Sequence, residues 1–144
     1  MKEEKVNGYV DKKESDLKQY QSILREMKQI KEKIKELEYS KYSIKSPEWN
    51  DMPTGGFGTN DKIGKILVAI EEQIEKYWGK YRQLLELQNR IENAISKLDP
   101  IEREVLRYRY FNGKKFEEIS CIIHYSFRTV RRIHKRALEK LENI

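Results

Sequence analysis

The chain holds a single cysteine, Cys121, among 144 residues. No disulfide can form within it, and a reducing compartment such as the cytoplasm is the expected setting. Long apolar runs are missing too. No stretch approaches the roughly 20 apolar residues needed to cross a bilayer. The charged start Met1-Lys2-Glu3-Glu4-Lys5 leads into no apolar segment, so a secretory signal is not expected. Helix breakers are scarce: of seven glycines and three prolines, three and two respectively fall between Ser43 and Asn60. Elsewhere little interrupts a helix. Catalytic and cofactor signatures are lacking as well. No Gly-rich phosphate loop follows a strand, and no nucleophile–base pair stands out, so neither an enzyme nor a bound cofactor is expected. Cys121, His124 and His134 offer too few ligands at suitable spacing for a metal.

Charged residues make up 38% of the chain and hydrophobic ones another 38%. That mixture favours long, charge-covered helices over a thick globular core. The spacing predicts a first helix over about 14–41, with Leu17, Tyr20, Leu24, Met27, Ile30, Ile34 and Leu37 on one face. The steps slip at Met27–Ile30, so the repeat is not a strict heptad. A loop over 42–59 follows, carrying Pro47, Pro53, Gly55 and Gly56. Trp49, Met52 and Phe57 within it suggest a segment that packs down on something.

A second helix is expected over 60–98, opened by Asn60 or Asp61 as N-cap. Its apolar positions are Ile63, Leu67, Ile70, Ile74, Tyr77, Tyr81, Leu84, Ile91, Ile95 and Leu98, with Gln88 the one polar member. Alternating steps of four and three are the signature of a coiled coil, and the set from Ile63 to Ile95, Gln88 included, is the expected oligomerisation seam. Such a helix spans about 58 Å and the first about 42 Å. An intramolecular hairpin and an intermolecular coil are both open. Gln88 either fixes register and partner number or is a tolerated substitution at an exposed edge.

Asp99-Pro100 then breaks the run, since the residue before proline avoids helical ψ. Asp99 as N-cap, Pro100 at the first position and Glu102 three residues on suit a new helix, ending near Tyr110 before Asn112-Gly113. Ile101, Val105, Leu106 and Tyr110 share its inner face. Tyr108, Tyr110 and Phe111 read as core packing in preference to base stacking. A short helix over 116–122 carries Phe116, Ile119, Ile122 and Ile123, while Glu117 and Glu118 complement its dipole. The turn is His124-Tyr125. Ser126 caps a last helix whose inner face holds Val130, Ile133, Ala137, Leu138 and Leu141. Two helices joined by a short turn, the second led by arginines, make a helix-turn-helix.

The net charge of +6 is concentrated there. Arg128, Arg131, Arg132, Lys135, Arg136 and Lys140 face only Glu139 between Ser126 and Lys140, a local balance of about +5 that suggests a polyanion-facing surface. Arginine's planar fork can hydrogen-bond guanine O6 and N7 together in a major groove, and further cations neutralise phosphates.

The run Leu98-Asp99-Pro100-Ile101-Glu102-Arg103-Glu104-Val105-Leu106-Arg107-Tyr108-Arg109-Tyr110-Phe111-Asn112-Gly113, then Phe116-Glu117-Glu118-Ile119-Ser120 and Ser126 to Leu138, resembles region 4 of sigma-70-type factors over about 98–141. With the Ser46-Pro47 and Met52-Pro53-Thr54-Gly55-Gly56 loop, the chain also resembles phage-encoded late-transcription regulators of the autolysin-regulator type. The resemblance implies an all-α chain: a long helical hairpin or coiled-coil stalk over 1–98 and a three-helix DNA-binding domain over 99–144. It implies base contacts from Phe127, Arg128, Arg131 and Arg132. Lys114, Lys115, Ser126, Thr129, Lys135 and Arg136 would meet the DNA backbone. Sigma factors usually place Arg then Glu just after the cap, where this chain has Phe127 and Arg128, so a different DNA sequence is expected. The family's turn often has glycine where His124 stands, and His tolerates positive φ better than most residues. Regions that bind the polymerase core and melt promoters have no counterpart here.

The partners implied are double-stranded DNA, host RNA polymerase and further copies of the chain, in a bacterial cytoplasm with no membrane association. Two rival readings remain open. One is a viral small terminase subunit, which also joins a helix-turn-helix to a coiled coil but usually places the DNA-binding element first. The other is a sigma-like module that docks on polymerase without touching DNA.

Overall fold

The computed structural model describes residues 2–43 and 58–141, with side chains over 11–43 and 61–141. The order is α1 (Lys2–Ser43), α2 (Gly58–Ile95), α3 (Pro100–Leu106), a π-turn (Arg107–Phe111), α4 (Phe116–Ile123) and α5 (Phe127–Lys140). The fold is all-α, with no strand among the described residues. None of their helices is long and apolar enough to cross a membrane. Most of the expected 42–59 loop, with Trp49, Met52 and Phe57, lies outside the described residues.

Helix α1 begins at Lys2, well before the expected start near Glu14. The segment ahead of Glu14 lacks an apolar stripe of its own but contains no proline and only one glycine, so nothing in it breaks the helix. Pairs one turn apart, such as Glu14–Lys18 at 3.2 Å, add a few tenths of a kcal/mol each.

By internal contacts the chain divides into two compact units, one formed by Met1–Leu24 with Gln83–Ile144, the other by Arg25–Arg82. In the second unit the two helices meet within the chain, with Lys80 Nζ on Glu26 Oε2 and Met27 buried. The first unit contains the main core. Leu17, Tyr20 and Ile23 from α1 are buried there, as are Leu84, Leu87, Ile91 and Ile95 from α2. The buried stripes are rotated slightly from those expected: Ile23 is covered and Leu24 half-buried, while Leu87 joins Leu84 and Ile91. Val105, Ile119, Val130 and Ile133 form the centre of the three-helix part, packed round by Ile101, Tyr108, Phe116 and Ile123. Ile122, one of the apolar residues of α4, is exposed.

The helix expected to end near Tyr110 ends as a π-turn. Asn112 N–H donates to Arg107 O at 3.1 Å, five residues back. The widened turn frees carbonyls, and α1 supplies their donor: Gln21 Nε2 donates to Tyr110 O at 2.8 Å and to Phe111 O at 2.9 Å. The Tyr20 and Phe111 rings pack at a tilt nearby, 4.7 Å between centroids. Gly113 then adopts φ +65, and a Cβ there would come within 3.3 Å of Gln21 Oε1.

Candidate nucleic-acid interface

The turn between α4 and α5 is built from local chemistry. His124 caps α4 in the left-handed region, φ 58 and ψ 34, the role that glycine often fills. Ser120 Oγ donates to Tyr125 O and ties the turn to α4. Ser126 adopts an extended backbone, and its Oγ accepts from Thr129 N–H at 3.2 Å while pairing with Thr129 Oγ1 at 2.8 Å. Glu118 at the other end of the motif accepts from Lys115 N–H at 2.7 Å and closes the first turn of α4.

Helix α5 sorts its side chains sharply. Val130, Ile133, Ala137 and Leu138 are buried, and Leu141 closes the end. Arg128, Arg131, Arg132 and Lys135 are exposed on the other side. None of these four has a carboxylate partner among the described residues. The Arg131 guanidinium lies 5.7 Å from the Phe127 ring, which is itself exposed and edge-on to Phe116. Thr129 is half-buried in the Ser126 cap. Lys115 is exposed and Lys114 half-buried, with its carbonyl accepting from Arg109 Nη1 at 3.2 Å.

Arg136 has a different environment from its basic neighbours. Its Nε donates to Glu102 Oε1 at 2.8 Å, and Lys140 Nζ donates to the same oxygen at 2.9 Å. Glu102 is completely buried and also accepts from Asp99 N–H at 3.2 Å through Oε2. Burial pushes its carboxyl up, but hydrogen bonds from Lys140, the Asp99 amide and Arg136 outweigh that and hold it below the usual carboxylate range. The basic run of α5 thus has one group of cations anchored to α3 and another left facing outward. Sequence reading identified Glu102 as a capping residue. Its second role depends on a helix 34 positions downstream in the chain.

A polar pair links the π-turn to α5. The Tyr110 hydroxyl lies 2.7 Å from His134 Nε2, and both side chains are buried. Burial, then the charge of Glu14, pushes the Tyr110 hydroxyl up. Burial pulls the His134 imidazole down to about 4, with Glu14 opposing and Arg109 reinforcing the shift. His134 is therefore neutral at pH 7. Phe116 packs edge-on to its ring at 4.9 Å and receives the Arg109 guanidinium at 4.3 Å on its own face.

Helix α1 also reaches α5. Lys13 Nζ donates to Leu138 O at 3.3 Å, placing a cation on the carbonyls of the last turn. One turn of α5 away, Glu14, Phe116, Arg128, Arg131, Arg132, His134, Lys135 and Leu138 line an open cleft of about 520 Å³. This association of α1 with the helix-turn-helix had no signal in the sequence beyond an apolar stripe.

Of the residues expected at an oligomer seam, Leu84, Ile91 and Ile95 are buried within the chain. Ile63, Ile70, Tyr77 and Gln88 are half-buried, and Leu67, Ile74 and Tyr81 are exposed. Trp78, outside the expected set, is exposed beside Tyr81 with their rings 5.6 Å apart.

Residues 94–143 match the family model for sigma-70, region 4. No curated protein and no solved structure gives a significant match. The matched segment contains α3, the π-turn, α4 and α5, and the family is a DNA-binding helix-turn-helix domain. The last third of the chain is therefore a sigma-70 region 4-like helix-turn-helix.

Proposed function

We propose that the chain is a sequence-specific regulator of transcription that binds double-stranded DNA, acting on late genes of a phage or prophage in a bacterial cytoplasm. The observation that carries this reading is the outward face of α5. Four cations without carboxylate partners among the described residues follow a capped helix start, while Arg136 and Lys140 are held by Glu102. A merely solvated basic helix would have no reason to divide its charges this way. Phe127, Arg128, Arg131 and Arg132 are the base-reading candidates at the leading end of the helix. Lys114, Lys115, Ser126, Thr129 and Lys135 are the candidates for the backbone role. Arg136 would contribute only as a partner shared with Glu102.

The exposed Leu67, Ile74, Trp78 and Tyr81 support self-association along α2, which would present two or more reading heads to repeated half-sites. Host RNA polymerase is a second partner in keeping with the sigma-like segment. The test is a mobility-shift assay on selected target duplexes with Arg131→Ala plus Arg132→Ala. Specific binding should vanish while helicity and oligomer size stay as they were. Unchanged affinity would show that another face reads the DNA.

A further inference from the structure

We propose that Glu14 of α1 acts as an internal competitor for DNA phosphate, weakening the grip of the recognition helix on the duplex backbone. This rests on the DNA-binding reading above. Glu14 is the one carboxylate among the residues lining the cleft beside α5, where it shares the walls with Arg128, Arg131, Arg132 and Lys135. Its position is fixed by independent contacts on both sides along α1. Lys13 holds the Leu138 carbonyl, and Leu17, one turn on, is fully buried. Its side chain is about a quarter exposed and meets Lys18 Nζ at 3.2 Å. The carboxylate therefore cannot swing far from the cleft. Its field reaches α5, because Glu14 and Arg131 both act on the His134 imidazole and in opposite directions.

The Glu14 carboxylate shares this cleft with the four cations, and at 0.1 M salt charges act on one another over roughly 10 Å. A phosphate entering beside Arg131 or Lys135 would meet those cations and the Glu14 charge together. Each phosphate held there would lose a fraction of its attraction, irrespective of base sequence. Hydrogen bonds to base edges act at short range and would be affected less. Glu14 would thus restrain non-specific binding more than specific readout.

The experiment compares the 144-residue chain with Glu14→Gln, Glu14→Lys and, as a control matching the charge change of the glutamine variant, Glu104→Gln at an exposed position of α3. Glutamine keeps the shape of Glu14 and one acceptor oxygen while removing its charge, and thermal melting checks that each variant is folded. On a random-sequence duplex at 0.1 M salt, Glu14→Gln should bind about threefold to tenfold tighter and Glu14→Lys tighter still. The advantage should shrink as salt rises, and Glu104→Gln should stay within about twofold of the parent. Equal affinities for parent and folded Glu14→Gln, with the parent binding DNA, would overturn this inference alone. So would weaker binding by Glu14→Gln. If neither parent nor variants bound duplex DNA, the DNA-binding reading would fail and take the inference with it.

Discussion

His134 and Glu102 show how single side chains tie the recognition helix to the rest of the domain, and both make the fold sensitive to acid. His134 is 8% exposed, paired with the Tyr110 hydroxyl, and its imidazole is drawn down to about 4 from an ordinary value near 6.5. Above pH 6.5 it is neutral whether the chain is folded or not. Between pH 6.5 and 4 the unfolded chain takes up the proton first, so stability falls as pH drops through that window. At 1.36 kcal/mol per pH unit, about 2 kcal/mol should be lost between pH 7 and pH 5. The carboxyl of Glu102 is held low, so its contribution persists until lower pH and is lost as Arg136 and Lys140 lose their anion. Melting temperatures measured from pH 7.5 to 4.5 should decline through the histidine window, and His134→Gln should flatten that decline. A parent protein equally stable at pH 7 and pH 5 would contradict the assignment.

The elements differ in how plainly the sequence announced them. Ser126 as cap and the Val130–Ile133–Ala137–Leu138 face are set by residues within a turn or two of each other, and spacing alone reveals them. The left-handed backbone at His124 is implied only by the sigma-like resemblance. The π-turn over Arg107–Phe111 left no such mark, because what sustains it is Gln21, on another helix. Spacing puts Leu17 on an apolar stripe, but which part of the chain covers that stripe, like the pairing of Arg136 with Glu102, is decided at long range. These contacts make the first half of α1 part of the domain that carries the helix-turn-helix, although it lies far outside the matched segment. Leu17→Ala should accordingly cost about 2–5 kcal/mol. Hydrogen exchange would locate the loss: amides of α3 and α5 should exchange faster in the variant. If only α1 amides changed, α1 would be an appendage and not a component of the core.

At the scale of the whole molecule, what matters is where charge is free. The net charge of +6 is modest for a DNA-binding chain, and most lysines of α1 and α2 stand among glutamates. Concentration of unpaired arginine on one short helix is what distinguishes a reading surface from general solubility. Exposed Leu67, Ile74, Trp78 and Tyr81 give the molecule a second kind of surface, an apolar one along α2. The most direct test of the central claim is the salt dependence of duplex affinity for the unmodified chain. If Arg128, Arg131, Arg132 and Lys135 meet phosphates or displace counterions, the logarithm of the binding constant should fall linearly with the logarithm of salt concentration, with a slope of about −3 to −4 per chain. A slope near zero, or no duplex binding at low salt, would contradict the account.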